Sequence, residues 1–285
     1  MWTRSLLTGL GLASAGLIGT AYVKQCRFRR ETARRVTDLL AAADDPGPLP
    51  APDLKALPPP IRRYLEHVLP EEPPPVHTVR LWQRGSFRTA PTHSWRPFTA
   101  TQHVTLQPPG FVWDASVRMM PWVPVRVIDE FRGGQGALCA KLGGVLTVAE
   151  PAPGPALNEA ELMRYLAEAP LYPTALLPGR GVEWTPIGDR SARATLTVQD
   201  TTASLVFHVN EWDEISRVTG KRAYVQEDGT TEPRPWHGYW RRYTMRNGIR
   251  VPLEGEVAWV HPDDGEVAYW RGHIDQIEHQ PGPHR

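Results

Sequence analysis

The stretch that decides the fold is Phe111-Val112-Trp113-Asp114-Ala115-Ser116-Val117-Arg118-Met119. Phe111, Trp113, Ala115, Val117 and Met119 recur at every second position, and Asp114, Ser116 and Arg118 fill the gaps. That is the period of a half-buried β-strand, whose successive side chains point to opposite faces. Val112 is the one breach of the alternation. Upstream, Phe98, Ala100, Gln102, Val104 and Leu106 alternate in the same way, and Pro108-Pro109-Gly110 supplies the turn between the two runs. Downstream, Ala192, Ala194, Leu196 and Val198 alternate with polar residues, and Ala203, Leu205, Phe207 and Val209 repeat the pattern. Asn247-Gly248 and Asp263-Asp264-Gly265 are hairpin signals. Read this way, the chain carries about eleven strands. Few are apolar throughout, so the sheet is antiparallel with one wetter face. A sheet of that size must curl or close. The predicted fold class is mainly β: a curled antiparallel sheet or open half-barrel with one lid-like helix, preceded by an N-terminal transmembrane helix.

One lid-like helix interrupts the meander of strands. Asn158 with Glu161 reads as a capping-box start, and Leu162, Tyr165, Leu166 and Ala169 as the buried stripe. Glu161, Arg164 and Glu168 read as a solvated or docking face. Pro170 and Pro173 stop the helix, and residues 171–178, with Tyr172, form a packed irregular loop. Helix and loop are expected to close the concave side.

Ahead of this domain the chain divides into residues 1–30 as anchor and basic flank and 31–60 as helix and proline-rich spacer. The β-rich domain is placed at 61–280 and a tail at 281–285. From Leu6 to Val23 there are 18 residues without a charge. As a helix they span roughly 27 Å, enough to cross a bilayer core. Trp2 and Tyr22 flank them, and Lys24, Arg27, Arg29, Arg30, Arg34 and Arg35 follow. The reading is an uncleaved single-pass anchor rather than a signal peptide. The positive-inside tendency then places the main domain in the cytoplasm, with the extracytoplasmic side as the alternative. Gly9, Ala13, Gly16 and Thr20 have the small-residue spacing that supports a weak homodimer through the anchor. Seven prolines between Pro46 and Pro60 make a semi-rigid spacer. Ile61, Tyr64, Leu65 and Val68 then predict a short amphipathic helix docked on the domain.

With 285 residues, 41% apolar, 22% charged and a net charge of +1, the chain is neither disordered, nor a many-span transporter, nor a nucleic-acid binder acting through bulk charge. Two cysteines are too few for a disulfide framework or a multi-cysteine zinc site. No phosphate-binding, dinucleotide-binding, nucleophile-elbow or zinc-protease motif is present. Gly133-Gly134-Gln135-Gly136 lies between strand-like runs and reads as a hairpin turn. No catalytic residue, metal or cofactor is predicted. Eleven tryptophans stand against six phenylalanines. They are either large core fillers or the lining of a cavity. In the second case Trp113, Val117 and Met119 line it from the strand, Leu166 from the helix, and Trp122 and Tyr172 stand near its mouth. Asp114 and Arg118, on the polar face, are either head-group anchors or partners in a cross-strand ion pair. Asp129 and Glu130, adjacent in a strand, point to opposite faces. The leading functional reading is a membrane-tethered binding module for a lipid or other apolar or amphipathic ligand. The alternatives are an enzyme using acids in the same cavity and a solid-core structural or interaction protein.

Several strings also carry a family look. Pro58-Pro59-Pro60-Ile61-Arg62-Arg63-Tyr64-Leu65 is followed by Val79-Arg80-Leu81-Trp82-Gln83-Arg84-Gly85, then by Pro108-Pro109-Gly110-Phe111-Val112-Trp113-Asp114-Ala115. Later, Arg164-Tyr165-Leu166-Ala167-Glu168 runs into Pro173-Thr174-Ala175-Leu176-Leu177-Pro178. Over residues 55–280 the chain resembles a bacterial family of unknown function with an N-terminal membrane segment, a resemblance that implies no activity. In pattern alone, the last hundred residues resemble the open half-barrel of periplasmic lipoprotein carriers, through Tyr243, Asn247-Gly248 and Pro252. Those carriers work outside the cytoplasmic membrane, opposite to the positive-inside placement.

Overall fold

In the computed structural model the described residues are 2–43, 53–120, 122–226 and 230–282, with 2–18 and Val225 described by backbone alone. The strands are β1 (Val76–Phe87), β2 (Arg96–Leu106), β3 (Pro109–Val117), β4 (Val125–Arg132), β5 (Gln135–Leu142) and β6 (Leu146–Ala149), then β7 (Val182–Gly188) and β8 (Ser191–Val198). They continue with β9 (Thr201–Val209), β10 (Ile215–Val225), β11 (Thr231–Arg246), β12 (Ile249–His261) and β13 (Gly265–Pro281). All thirteen, rather than about eleven, form one sheet in the order β6-β5-β4-β3-β2-β1-β13-β12-β11-β10-β9-β8-β7. Every pairing is antiparallel. Two meanders therefore meet at β1 and β13, and β6 and β7 end the sheet. The hairpin turns are the expected ones: Gly133 and Gly134 close β4 to β5, and Asn247 and Gly248 close β11 to β12, all with positive φ.

The chain crosses from one sheet edge to the other through α3 (Pro155–Ala167) and two 3-10 turns, Ala169–Leu171 and Pro173–Leu176. Leu162, Tyr165, Leu166 and Ala169 are buried as the stripe predicted. The helix lies on the concave side, touching β3, β4 and β5 along one flank and β8, β9 and β10 along the other. Its start differs from the capping-box reading. Gly154 is the N-cap and Pro155 opens the first turn. Asn158 sits inside the helix, where its side-chain oxygen accepts the Gly136 N–H at 2.9 Å. A second helix, α2 (Pro59–Val68), buries Ile61, Tyr64, Leu65 and Val68 in the same core.

Glycines let the sheet carry rings flat on its concave face. Gly85, Gly272 and Gly255 are register partners across β1, β13 and β12. A Cβ on Gly255 would meet the Trp240 ring at 2.9 Å, one on Gly272 the Trp270 ring, and one on Gly85 the Phe98 ring at 2.7 Å. Phe98 stacks on Trp270 with ring centroids 5.8 Å apart and meets Trp113 edge-on at 5.7 Å.

The convex face holds a second, smaller core that accounts for Val112. Phe28 and Leu39 of α1 (Trp2–Ala41) pack there on Val112, Ile128 and Cys139. The apolar breach in β3 is the seat of this helix. Residues 28–39, read as basic flank and continuing helix, are helical and packed against the sheet. The predicted anchor from Leu6 to Val23 lies mostly outside the described side chains, as does most of the small-residue spacing. Residues 44–52 of the proline spacer lie outside the described residues. Among the described residues, no helix is long and apolar enough to cross a membrane.

Candidate functional site

Between α3 and the concave face lies a cavity of about 270 Å³. Its lining is divided by chemistry. One wall is aromatic, with Phe87, Trp113, Trp236, Trp240, Tyr269 and Trp270. Three of these indoles are held by their N–H groups. Trp113 donates to Gln83 at 2.8 Å, Trp236 to the Tyr269 hydroxyl at 3.0 Å and Trp240 to the Ala167 carbonyl at 3.0 Å. A charged pole borders this wall, made of Asp129, Glu161, Arg164, Glu168 and Arg222, with Arg164 over Trp113 and Arg222 over Trp236.

The pole is one connected network. Arg164 donates to Asp129 at 2.5 Å and to Glu168 at 2.9 Å, and its guanidinium lies over the Phe111 and Trp113 rings. Gln102 donates to the second oxygen of Glu168 and accepts from Gln83, which in turn accepts from Trp113. Arg222 donates to Glu161 at 3.1 Å. Burial acts against the charge on Arg164, but Glu168, Asp129 and Glu161 outweigh it and raise its pKa. At Glu161 burial wins: desolvation, aided by the Asp129 charge, pushes its pKa up to about 8 despite Arg222 and Arg164. At neutral pH it therefore holds its proton. No donor reaches Asp129 Oδ1 or Glu161 Oε2, and the two carboxyls lie within hydrogen-bonding reach of each other. A proton on Glu161 gives both orphaned oxygens a partner.

The face of α3 read as solvated or docking is thus turned inward, the docking one of the two alternatives. Glu161 is 2% exposed, and its side chain packs on Gly136 of β5. Among the described residues, no three His, Cys, Asp or Glu side chains come together as a metal site.

A family model described as a family of unknown function (DUF6920) matches residues 55–279. The chain belongs to the DUF6920 family. No curated protein matches it. Among solved structures, it is similar to a DUF1329 family protein from Desulfovibrio piger, at 10% identity over 73% of this chain and 87% of that one, with a TM-score of 0.41. It is also similar to a putative outer membrane lipoprotein-sorting protein domain from Vibrio parahaemolyticus, at 9% identity over 73% and 88%, with a TM-score of 0.38. A LolA superfamily protein from Nitrosomonas europaea follows at 11% identity over 78% and 92%, with a TM-score of 0.30. Both likenesses read from the sequence recur, one in the family model and one among the solved structures.

In this DUF6920 domain, the residues singled out from the sequence fall in different places. Trp113 and Val117 line the cavity. Met119 borders a separate shallow groove with Phe87 and His93, and Trp122 is 91% exposed on the β3–β4 loop. Leu166 and Tyr172 are fully buried in the packed core, away from any mouth, and the Tyr172 hydroxyl donates to the Tyr165 carbonyl at 2.6 Å. Asp114 faces the convex side, where Arg126 of β4 donates to it at 2.6 Å, the cross-strand pair of the two alternatives. Burial raises the Asp114 pKa against the pull of Arg126. Arg118 is exposed beside Trp122. Asp129 and Glu130 do face opposite ways: Glu130 meets Arg35 of α1 at 2.9 Å, while Asp129 lines the cavity. The polar pole was missed as a unit, although Asp129 stood in the sequence at the inward parity of Val127 and Phe131.

Proposed function

We propose that this domain binds an amphipathic molecule on the concave side of its sheet, tail against the aromatic wall and head at the charged pole. The observation that supports this is the division of the cavity itself. A solid core would bring side chains onto the rings, whereas here six of them border open space of about 270 Å³ that ends at five charged groups. Pockets of that character, mostly apolar with a few convergent polar groups, are where small molecules bind.

We infer also that the domain sits against a bilayer at the end where the N-terminal part of α1 leaves it. Met120, Trp122 and Val123 of the β3–β4 loop, Leu146 and Val148 of β6, and Tyr22 and Val23 of α1 are all exposed. The turn between β5 and β6 joins the β3–β4 loop to α1. The Gly143 N–H donates to the Pro124 carbonyl, a Cβ on Gly143 would touch Val123, and one on Gly144 would touch Gln25 and Phe28. Lys24, Arg27 and Arg118 are exposed around them, as expected of a surface facing anionic head groups.

Native mass spectrometry of the full chain tests the first proposal by showing whether an amphipath travels with it. After delipidation, decanol is expected to shift tryptophan emission saturably and to stabilise by about 2.7 kcal/mol at a hundredfold excess over Kd. Leu138→Trp, which fills the cavity from β5, is expected to abolish the signal without lowering Tm. A clean apo mass and no saturable decanol signal would overturn the reading.

A further inference from the structure

The two arginines of the pole are not equivalent. Arg164 lies between Asp129 and Glu168, with two aromatic rings beneath it, and bonds both carboxylates. Arg222, from β10, has one carboxyl partner, Glu161, and its guanidinium approaches the Trp236 ring at 5.8 Å where the aromatic wall begins. While Glu161 holds its proton, Arg222 faces a neutral carboxyl, and the other two acids, Asp129 and Glu168, are bonded to Arg164. Arg222 then borders the cavity with no anion of its own.

We propose that the head group of the bound molecule is an anion that takes Arg222, and that Glu161 is the internal counter-ion competing for the same guanidinium. This rests on the reading of the cavity as an amphipath site. A buried guanidinium beside an apolar wall favours a carboxylate or phosphate over a neutral head, because the charge-assisted bonds form away from water. The groups facing Glu161 are few. Asp129 comes from β4, Arg222 from β10, and Arg164 and Glu168 from its own helix, while β3, β5 and β9 turn only uncharged side chains inward. Once Glu161 ionises, its carboxylate neutralises Arg222 and repels an incoming anion. Anion affinity is therefore highest below the pH at which Glu161 loses its proton, and falls above it by up to roughly tenfold per pH unit.

The test compares decanoate, decanol and decyltrimethylammonium on the full chain, by tryptophan emission between pH 6.5 and 9.5. Decanoate is expected to bind at least tenfold tighter than the other two at pH 6.5 and to lose that advantage above pH 8, while decanol affinity stays flat. Glu161→Gln should keep the decanoate preference at all these pH values. Arg222→Met should remove it, leaving decanoate no tighter than decanol, and Arg222→Lys should restore part of it. If decanol binds saturably but decanoate is no tighter, or the cation is preferred, this inference is overturned and the cavity reading stands. If none of the three binds, both fall.

Discussion

Asp129 and Glu130 are neighbours in one strand, both buried and both held by an arginine, yet they serve opposite faces of the sheet. On the convex side, Arg35 bonds Glu130 at 2.9 Å and Glu31 at 2.6 Å, beside the contacts of Phe28 and Leu39 with Val112, Ile128 and Cys139. That pair pins a helix to a sheet, and apolar packing seals it. On the concave side, Arg164 serves Asp129 and Glu168 and Arg222 serves Glu161, so three acids meet two guanidiniums. At the seam the second acid, Glu31, is 39% exposed and water serves it, whereas the surplus acid of the pole is buried. A pole bordering a cavity can carry a mismatch, since a proton or a ligand can make it good.

The largest effect is expected from Arg164→Met. It leaves Asp129 and Glu168 buried without their cation, next to Glu161, and removes a group stacked on two rings. Breaking a buried pair from one side costs about 3–5 kcal/mol, which urea unfolding can read as a lower midpoint at unchanged slope. A loss below about 1 kcal/mol, the range of solvated pairs, would show that water reaches the pole and that its two faces differ less than the contacts indicate.

Glu161 gives the next effect, and its sign is fixed. Its carboxyl is raised in the folded protein, chiefly by burial, from an unfolded value of 4.5. The folded state therefore keeps a proton that the unfolded chain gives up. Stability is fully present below the unfolded pKa and declines as pH rises toward the folded one, by a few kcal/mol in all. Glu161→Gln should flatten this decline between about pH 5 and 8. If wild type and variant lose stability in parallel across that window, the proton is not held where the geometry places it.

Arg35→Met probes the other face and should cost less, about 1–2 kcal/mol, because of its two carboxylates only Glu130 is buried, whereas Glu31 is 39% exposed and water serves it when freed. Hydrogen exchange should rise in residues 28–41 and leave α3 protected. Equal loosening of α3 would mean that the two faces are one cooperative unit.

The same contrast marks what the sequence made legible. Alternation in β3 was readable because its faces differ in polarity, and even Val112 was visible as an exception, though not what covers it. The charged face of α3 was not readable as buried. Acids and arginines three and four apart on a helix usually face water, and nothing within Glu161–Glu168 shows that Asp129, Gln102 and Gln83 arrive from three strands to meet them. Gly85, Gly255 and Gly272 are scattered in sequence, and only the register places them in one row beneath the rings. Asn158 looked like a helix cap because its usual role is local, whereas its partner, Gly136, lies on β5.

The smallest effect on stability, and the sharpest contrast between two like side chains, is expected at the tryptophans of β3 and the loop after it. Trp113 is 8% exposed with its N–H on Gln83, whereas Trp122 is 91% exposed with Met120 and Val123 beside it. Trp122→Ala removes almost no packing, so stability should stay within about 0.5 kcal/mol. What it should remove is contact with lipid, because an indole placed at a bilayer surface sits among the head groups. Total binding sums every contact of the full chain with lipid, so it is a poor readout. A local one is quenching of tryptophan emission by brominated acyl chains in vesicles of three parts neutral to one part anionic lipid. Wild type should show a quenched component that Trp122→Ala lacks, and Arg118→Glu should weaken it. If the quenched fraction is the same with and without Trp122, the exposed loop does not meet the bilayer, and the domain's orientation on it must be sought elsewhere.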